Sequence, residues 1–285
     1  MTIKDRIEEM FSQLTATEQR LGTAILADYP FAGLQPINEL AEKTKVSPPT
    51  ISRFVAKLGC AGLQEFQQLL ISELKESQRS PVDLKRTSAP VEGAYLAGFM
   101  ARVEGLVKQT TESITEAQFE RTCNLLADTS HRLFIIGGRM SDAIAVYAFK
   151  HFRQIRTKVY HIPADPEEWP EYLLQMQPKD VLLVINFRRY QDNLSDLAEQ
   201  ARKQRSANII LMTDPWLSPV AQWSKEVLTL PINSNTVWDC YAPAFGVMEA
   251  ILTYVAELDW DRTKNRIEAW DVSRSQIGKN RNTSK

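Results

Sequence analysis

The chain has 285 residues, with 34 basic against 35 acidic side chains, a formal net charge of −1 and 44% hydrophobic content. This composition excludes a disordered chain, a collagen-like chain and a small disulfide scaffold, and the length accommodates two domains. The near-zero net charge offers no global attraction to polyanions, so any nucleic-acid contact has to come from a local patch.

Residues 1–77 read as helix after helix. Ile3, Ile7, Met10, Phe11 and Leu14 recur at helical spacing. Thr15-Ala-Thr-Glu18 is a capping box that opens a helix over Glu18 to Asp28, and Tyr29-Pro30 disfavours its continuation. A short amphipathic helix, Ile37 to Thr44, is followed by Lys45-Val46 and then by Ser47-Pro48, an N-cap with a first-turn proline that opens a second helix over Pro48 to Leu58. Gly59 supplies the stop. Two short helices around a turn with one buried apolar residue, Val46, have the form of a helix-turn-helix.

Residues 78–93 show little periodicity and are expected to be an exposed linker. Helices are then expected over Ala94 to Thr110 and after the capping box Thr115-Glu-Ala-Gln118. From Leu133 the period changes. Leu133–Ile136, Lys158–His161, Val181–Ile185, Ile209–Met212 and Val227–Leu230 are short apolar runs with helical stretches between most of them, as in a parallel sheet covered on both faces. The expected fold is therefore an all-α helix-turn-helix domain followed by an α/β doubly wound domain over residues 94–258. A last helix spans about Tyr241 to Leu258. Residues 259–285 are polar and net basic and are expected to form a mobile tail.

Cys60, Cys123 and Cys240 are far apart, without CxxC spacing, and suggest neither a disulfide framework nor a zinc site. His131, His151 and His161 lack metal-ligand spacing, so no metal is expected, and no cofactor is called for. Asp165-Pro-Glu-Glu168 has cap spacing rather than that of an acid–base pair. The longest apolar runs fall far short of a membrane span, and Lys4, Asp5, Arg6, Glu8 and Glu9 stand where a secretory leader needs an apolar core. A cytoplasmic location without membrane contact is expected.

Leu14-Thr-Ala-Thr-Glu18, Ile37-Asn-Glu-Leu-Ala41, Val46-Ser-Pro-Pro-Thr-Ile-Ser-Arg-Phe54, Lys57-Leu-Gly59 and Gly62-Leu-Gln-Glu-Phe66 together resemble the N-terminal domain of the MurR/RpiR transcriptional regulators. The α/β region resembles, in layout more than in motif, the sugar isomerase (SIS) domain fused to it in that family. The resemblance implies a dimeric or tetrameric bacterial regulator that binds operator DNA and senses a small molecule, typically a phosphorylated sugar.

A recognition helix presents its first turns to base edges while the preceding turn lies near phosphates. Those positions hold Lys45, Ser47, Pro49, Thr50, Ser52, Arg53 and Lys57. Lys45 and Ser47, with free amides at the helix start, suit phosphate; Pro49, Thr50 and Arg53 suit bases, Arg53 above all. The alternative is that Ser47 only caps, Arg53 pairs on the surface, and the helical unit binds another protein.

For a ligand, two loops beyond strand ends are informative. In Gly137-Gly138-Arg139-Met-Ser141 the glycines permit close approach of an anion and Ser141 can donate to phosphate or cap a helix. The family resembled writes a second glycine where Arg139 stands. After Val181–Ile185 that family writes small hydroxyl residues, whereas this chain has Asn186-Phe-Arg188-Arg189-Tyr190-Gln. Arg139, Arg188 and Arg189 could converge as an anion clamp, with Tyr190 stacking or donating. Alternatively Arg188 and Arg189 pair internally with acids such as Asp142, Asp192 or Asp214. The expected function is a non-enzymatic, ligand-responsive regulator that binds a palindromic operator as a homodimer or homotetramer, with a small anionic effector. The competing reading is a phosphosugar isomerase using Glu249 or His151.

Overall fold

The computed structural model describes residues 2–27 and 29–279. Its helical part comprises α1 (Ile3–Met10), α2 (Ala16–Ala27), α3 (Phe31–Leu34), α4 (Ile37–Thr44), α5 (Pro48–Lys57) and α6 (Leu63–Ser77). The apolar periodicity closes into one core around Ile3, Ile7, Leu21, Leu40, Ile51, Phe54, Phe66 and Leu70, all buried. The Thr15 box forms: the Thr15 amide donates to Glu18 Oε2 (2.8 Å) and the Glu18 amide to Thr15 Oγ1 (3.4 Å). The helix it opens ends at Ala27, and Asp28, its expected last residue, lies outside the described residues.

The expected linker contains a helix, α7 (Pro81–Thr87). Ser80 and Asp83 exchange hydrogen bonds as a capping box, and Leu84 is buried. The expectation overlooked that Asp at the third position closes such a box as Glu does, and that Ser80-Pro81 repeats the start signal of Ser47-Pro48.

Then follow α8 (Tyr95–Ser113), α9 (Glu116–Ala127), β1 (Leu133–Gly137), α10 (Asp142–Ile155), β2 (Val159–His161), α11 (Trp169–Gln175), β3 (Val181–Ile185), α12 (Asp192–Arg205), β4 (Asn208–Thr213), β5 (Glu226–Thr229) and α13 (Ala242–Glu257). The five strands are parallel in the order β2-β1-β3-β4-β5. Successive side chains of each strand face opposite layers. Leu133, Ile135 and Leu183 pack with α9, α10 and α13, and Phe134, Ile136 and Leu182 pack with α11 and α12. At Thr115 half the box forms: its hydroxyl accepts from the Gln118 amide, while Gln118 Nε2 donates to the Val227 carbonyl.

The expected mobile tail is instead α14 (Trp260–Lys279) as far as residue 279; residues 280–285 lie outside the described residues. Asp259 Oδ1 accepts from the Arg262 amide (3.1 Å), Thr263 is buried, and Arg266 Nε donates to the Arg153 carbonyl of α10 (2.8 Å). The polarity that suggested a tail reflects a helix touching the domain only through its first two turns. Among the described residues no helix is long and apolar enough to cross a membrane.

Candidate functional site

The sequence singled out two groups of residues, and the fold places them on two surfaces. The first is the face of α5. The turn before it is closed by Lys45 in the left-handed region (φ 53°), whose amide and that of Val46 cap α4 on the Glu42 and Ala41 carbonyls. Val46 is buried and pins the turn to the core. Ile51, Phe54 and Val55 face inward, which leaves Lys45, Ser47, Pro49, Ser52, Arg53 and Lys57 exposed and Thr50 half-buried.

Two expectations about this face need correction. The start of α5 has no free amides to offer: Pro48 and Pro49 carry no N–H, and the Thr50 and Ile51 amides both donate to the Ser47 carbonyl. What remains there is a side-chain array, with the Ser47 and Thr50 hydroxyls 2.9 Å apart and Arg53 Nη2 donating to Thr50 Oγ1 (3.3 Å). Lys57 is engaged elsewhere, in a 2.7 Å ion pair with the buried Glu18 of α2. Burial pushes the Glu18 carboxyl up, but Lys57 and Thr15 outweigh it and hold the group below its ordinary value.

The second surface is a cavity of about 370 Å³ beyond the carboxyl ends of β1 and β3. These adjacent strands are where the order of the sheet reverses, the crevice in which open α/β sheets bind ligands. Gly138, Arg139, Ser141, Asn186, Arg188 and Arg189 all line it, so the two loops converge as expected. Gly137 lies just beneath: an added Cβ would stand 2.4 Å from the Asp142 backbone, so the close passage of β1 against α10 requires glycine.

Three side chains proposed for ligand contact are consumed internally. Ser141 Oγ donates to the Ile185 carbonyl (2.5 Å) and accepts from the Gly138 amide (2.9 Å), tying the loop to β3 rather than capping α10. Asn186 Nδ2 donates to Ser218 Oγ (2.9 Å). Tyr190 does not line the cavity, and its hydroxyl donates to Asp214. Asp214, wholly buried, also accepts from the amides of Arg188 (2.5 Å) and Trp216 (3.1 Å). Burial nevertheless pushes its carboxyl up to about 6, and burial beside that carboxylate drives the Tyr190 phenol well above its ordinary value.

Arg188 is the unusual member. Its side chain is 1% exposed, its guanidinium carbon lies 4.0 Å from the centre of the Trp216 ring, and its Nε is 3.3 Å from Asp239 Oδ2. Neither Nε, Nη1 nor Nη2 makes a hydrogen bond, and Asp239 Oδ1 also lacks a partner. Burial raises the Asp239 pKa, opposed by Arg188 and then Arg79. The internal pairing considered for this arginine thus occurs with Asp239 and not with Asp142, Asp192 or Asp214. Arg139 and Arg189 are exposed at the same cavity; the Arg139 amide is held by Gln191 Oε1 (2.8 Å) and the Arg189 amide by the Ser77 carbonyl (2.7 Å).

The sequence did not single out Arg79, Pro81 and Leu84, which form a wall from the α6–α7 joint, nor Gln191 and Asp239. Trp238 and Tyr241, at the entry to α13, also line the cavity. Glu249 and His151 do not line it: Glu249 accepts from the Tyr147 hydroxyl (3.1 Å), and His151 packs on the Tyr147 ring. Among the described residues no cluster of His, Cys, Asp and Glu could hold a metal ion.

Comparison with known proteins bears on both surfaces. Residues 1–77 match the helix-turn-helix domain of the rpiR family, and residues 125–256 match the SIS domain. An uncharacterized HTH-type transcriptional regulator of Thermotoga maritima is 25% identical, with 97% of this chain and 98% of that protein aligned. The HTH-type transcriptional regulator HexR of Escherichia coli is 23% identical over 85% of this chain and 82% of its own length. The Vibrio vulnificus NanR protein, solved in complex with ManNAc-6P, shares the fold over 95% of this chain and 98% of its own, with a TM-score of 0.53 at 14% identity. With the rpiR-family helix-turn-helix model on residues 1–77, the SIS model on residues 125–256 and regulators aligned along most of its length, the chain belongs to the rpiR family of transcriptional regulators, a helix-turn-helix domain joined to a SIS domain.

Proposed function

We propose that this regulator binds a palindromic operator through α5 as a homodimer or higher oligomer, and that a small anionic metabolite in the SIS-domain cavity modulates that binding. The observation that carries the effector reading is Arg188: a buried guanidinium with no hydrogen bond on any of its three nitrogens, in the wall of a cavity of metabolite size. An unsatisfied buried charge is expensive, and an anionic ligand would satisfy it bidentately. Arg139 and Arg189 at the same cavity add to its preference for an anion. Since the residues after β3 carry none of the small hydroxyls of the usual phosphosugar cradle, guanidinium groups take their place, and a phosphorylated sugar or a sugar acid fits.

The operator reading is supported by the exposed Lys45, Ser47, Pro49, Ser52 and Arg53, with the half-buried Thr50 among them, on a helix whose other face is core. Over Pro36–Cys60 the basic residues Lys43, Lys45, Arg53 and Lys57 outnumber Glu39 and Glu42. Turnover as an isomerase is disfavoured by the positions of His151 and Glu249, which leave Asp239 as the cavity's acid, already beside Arg188. The test is selection of genomic fragments by the purified protein at a fixed salt concentration. Wild type should enrich one palindromic sequence, and Arg53→Ala should bind it about 5- to 150-fold more weakly, equivalent to about 1–3 kcal/mol, with relaxed preference at one base position per half-site. Equal enrichment by both proteins would remove α5 from the reading role.

A further inference from the structure

The sheet ends on one side at β2, and a second cavity, of about 420 Å³, runs along that free edge. It is lined by Phe149 and Arg153 of α10, Arg266 of α14, Tyr172 of α11 and the chain from Arg156 to His161. It shares no residue with the cavity beyond β1 and β3. The Leu133 amide donates to the Lys158 carbonyl and the Ile162 amide to the Ile135 carbonyl. In a parallel ladder this register turns the Val159 and His161 amides away from β1, to the open side of the strand.

The charge of this cavity has one sign. Arg153, Arg156, Lys158 and Arg266 line it, and no lining residue is acidic. Arg156 is buried and spends its guanidinium on the Leu126 and His131 carbonyls. The other three are available, since among the described residues none of them is in an ion pair. The Arg153 guanidinium carbon lies 5.4 Å from the centre of the Phe149 ring. Arg266 Nε donates to the Arg153 carbonyl (2.8 Å), which orients that side chain and leaves both of its Nη groups to a ligand. Lys158 Nζ reaches only the Ser130 carbonyl (3.2 Å). Three cations around one cavity repel one another unless an anion lies between them. A lone carboxylate would neutralise one of the three. Linked phosphates match all of them, because each guanidinium pairs bidentately with a phosphate and the ammonium serves as a point charge. Tyr160 and Tyr172 make another part of the wall aromatic, which suits the flat ring of a base.

We infer that the β2 edge is a second ligand site, which takes a nucleoside di- or triphosphate with its phosphates on Arg153, Lys158 and Arg266 and its base against Tyr160 and Tyr172. With no carboxylate in the wall, the phosphates are held by cationic side chains and not through a divalent metal, so magnesium competes with the site for the phosphate oxygens. The bound nucleotide joins α14 to β2 through Arg266. This site is independent of the effector and operator readings above.

The test is calorimetric titration of the full chain with ATP and with inorganic triphosphate, at physiological ionic strength and with EDTA present. Wild type should bind one ATP per chain, about 2- to 10-fold more tightly than triphosphate because of the base. Arg153→Gln with Arg266→Gln should weaken ATP binding at least about 10-fold with an unchanged far-ultraviolet circular dichroism spectrum. Lys158→Gln, at an exposed position, should weaken it in the same direction and keeps the site testable if the arginine pair folds poorly. Arg188→Met with Asp239→Asn, in the other cavity, should bind ATP as wild type does. Absence of saturable binding, or wild-type affinity in the Arg153–Arg266 and Lys158 variants, overturns the site. Loss of ATP binding in the Arg188–Asp239 variant alone overturns it too, and moves the nucleotide to the cavity beyond β1 and β3. Triphosphate bound as tightly as ATP overturns the assignment to a nucleoside.

Discussion

At the scale of single residues, Arg188 and Asp239 have the energetics of a site rather than of a scaffold. A buried ion pair at 3.3 Å with three unsatisfied nitrogens and one unsatisfied oxygen recovers little of its desolvation cost. Replacing both groups by neutral ones of similar size, Arg188→Met with Asp239→Asn, should leave the ligand-free protein as stable as wild type or more stable by about 1–3 kcal/mol. It should also abolish the effector's influence on operator binding while sparing affinity for DNA. Urea denaturation of the ligand-free proteins is the check; a loss of several kcal/mol would make the pair structural. Asp214 shows the contrast. It is equally charged and more buried, but it takes three donors and so organises the loop that presents Arg188.

Among the elements, α5 shows how a helix start can serve recognition without its backbone. The double proline removes two amides and the Ser47 carbonyl occupies the next two, so in the operator reading proposed above phosphate and base contacts would fall to side chains. Lys45 and Lys57 then separate into different roles. Lys45→Ala should reduce the slope of log affinity against log salt by about 1 with little change in stability. Lys57→Ala should instead leave Glu18 buried without its ion pair and cost about 1–3 kcal/mol of stability. Paired salt titrations and denaturation curves distinguish the two, and a stable Lys57→Ala protein with a reduced salt slope would return Lys57 to the DNA face. Two elements, α7 and α14, were misread as irregular for one reason. Each has ordinary caps, at Ser80 and Asp259, but too few apolar residues to show a helical period, because each touches the core through only a few side chains.

For the whole molecule, the two domains share contacts that pass beside the cavity. Leu217, in the left-handed region (φ 60°), leaves the α/β domain and is buried in the core of the helical one. The Arg189 amide holds the Ser77 carbonyl at the end of α6, and α7, directly after it, walls the cavity with Pro81 and Leu84. In the effector reading proposed above, movement of the Arg188–Arg189 loop on binding an anion would act on the joint that carries the helix-turn-helix. Leu217→Ala removes a buried side chain worth about 2–3 kcal/mol and should uncouple the units. Calorimetry is expected to show the helical domain melting separately and earlier, with a weaker effector response; a single transition shifted as a whole would mean that coupling runs through other contacts.

The sequence by itself determined the elements whose signals are local: the turn Lys45–Ser47 with its proline start, the five apolar runs that became the parallel strands, and the glycine loop after β1. It also placed Arg139, Arg188 and Arg189 at one end of the sheet, because a parallel α/β order puts the loops after β1 and β3 side by side. What only the tertiary structure decided was which polar groups remain to act. Ser141, Asn186 and Tyr190 were plausible ligand contacts until their partners Ile185, Ser218 and Asp214 came within hydrogen-bonding distance. Arg188 found Asp239, 51 positions along the chain, and Arg79 and Leu84 arrived from the segment that joins the two domains. Local propensity and periodicity are properties of a few consecutive residues, whereas the satisfaction of a buried donor depends on groups brought together only by the fold.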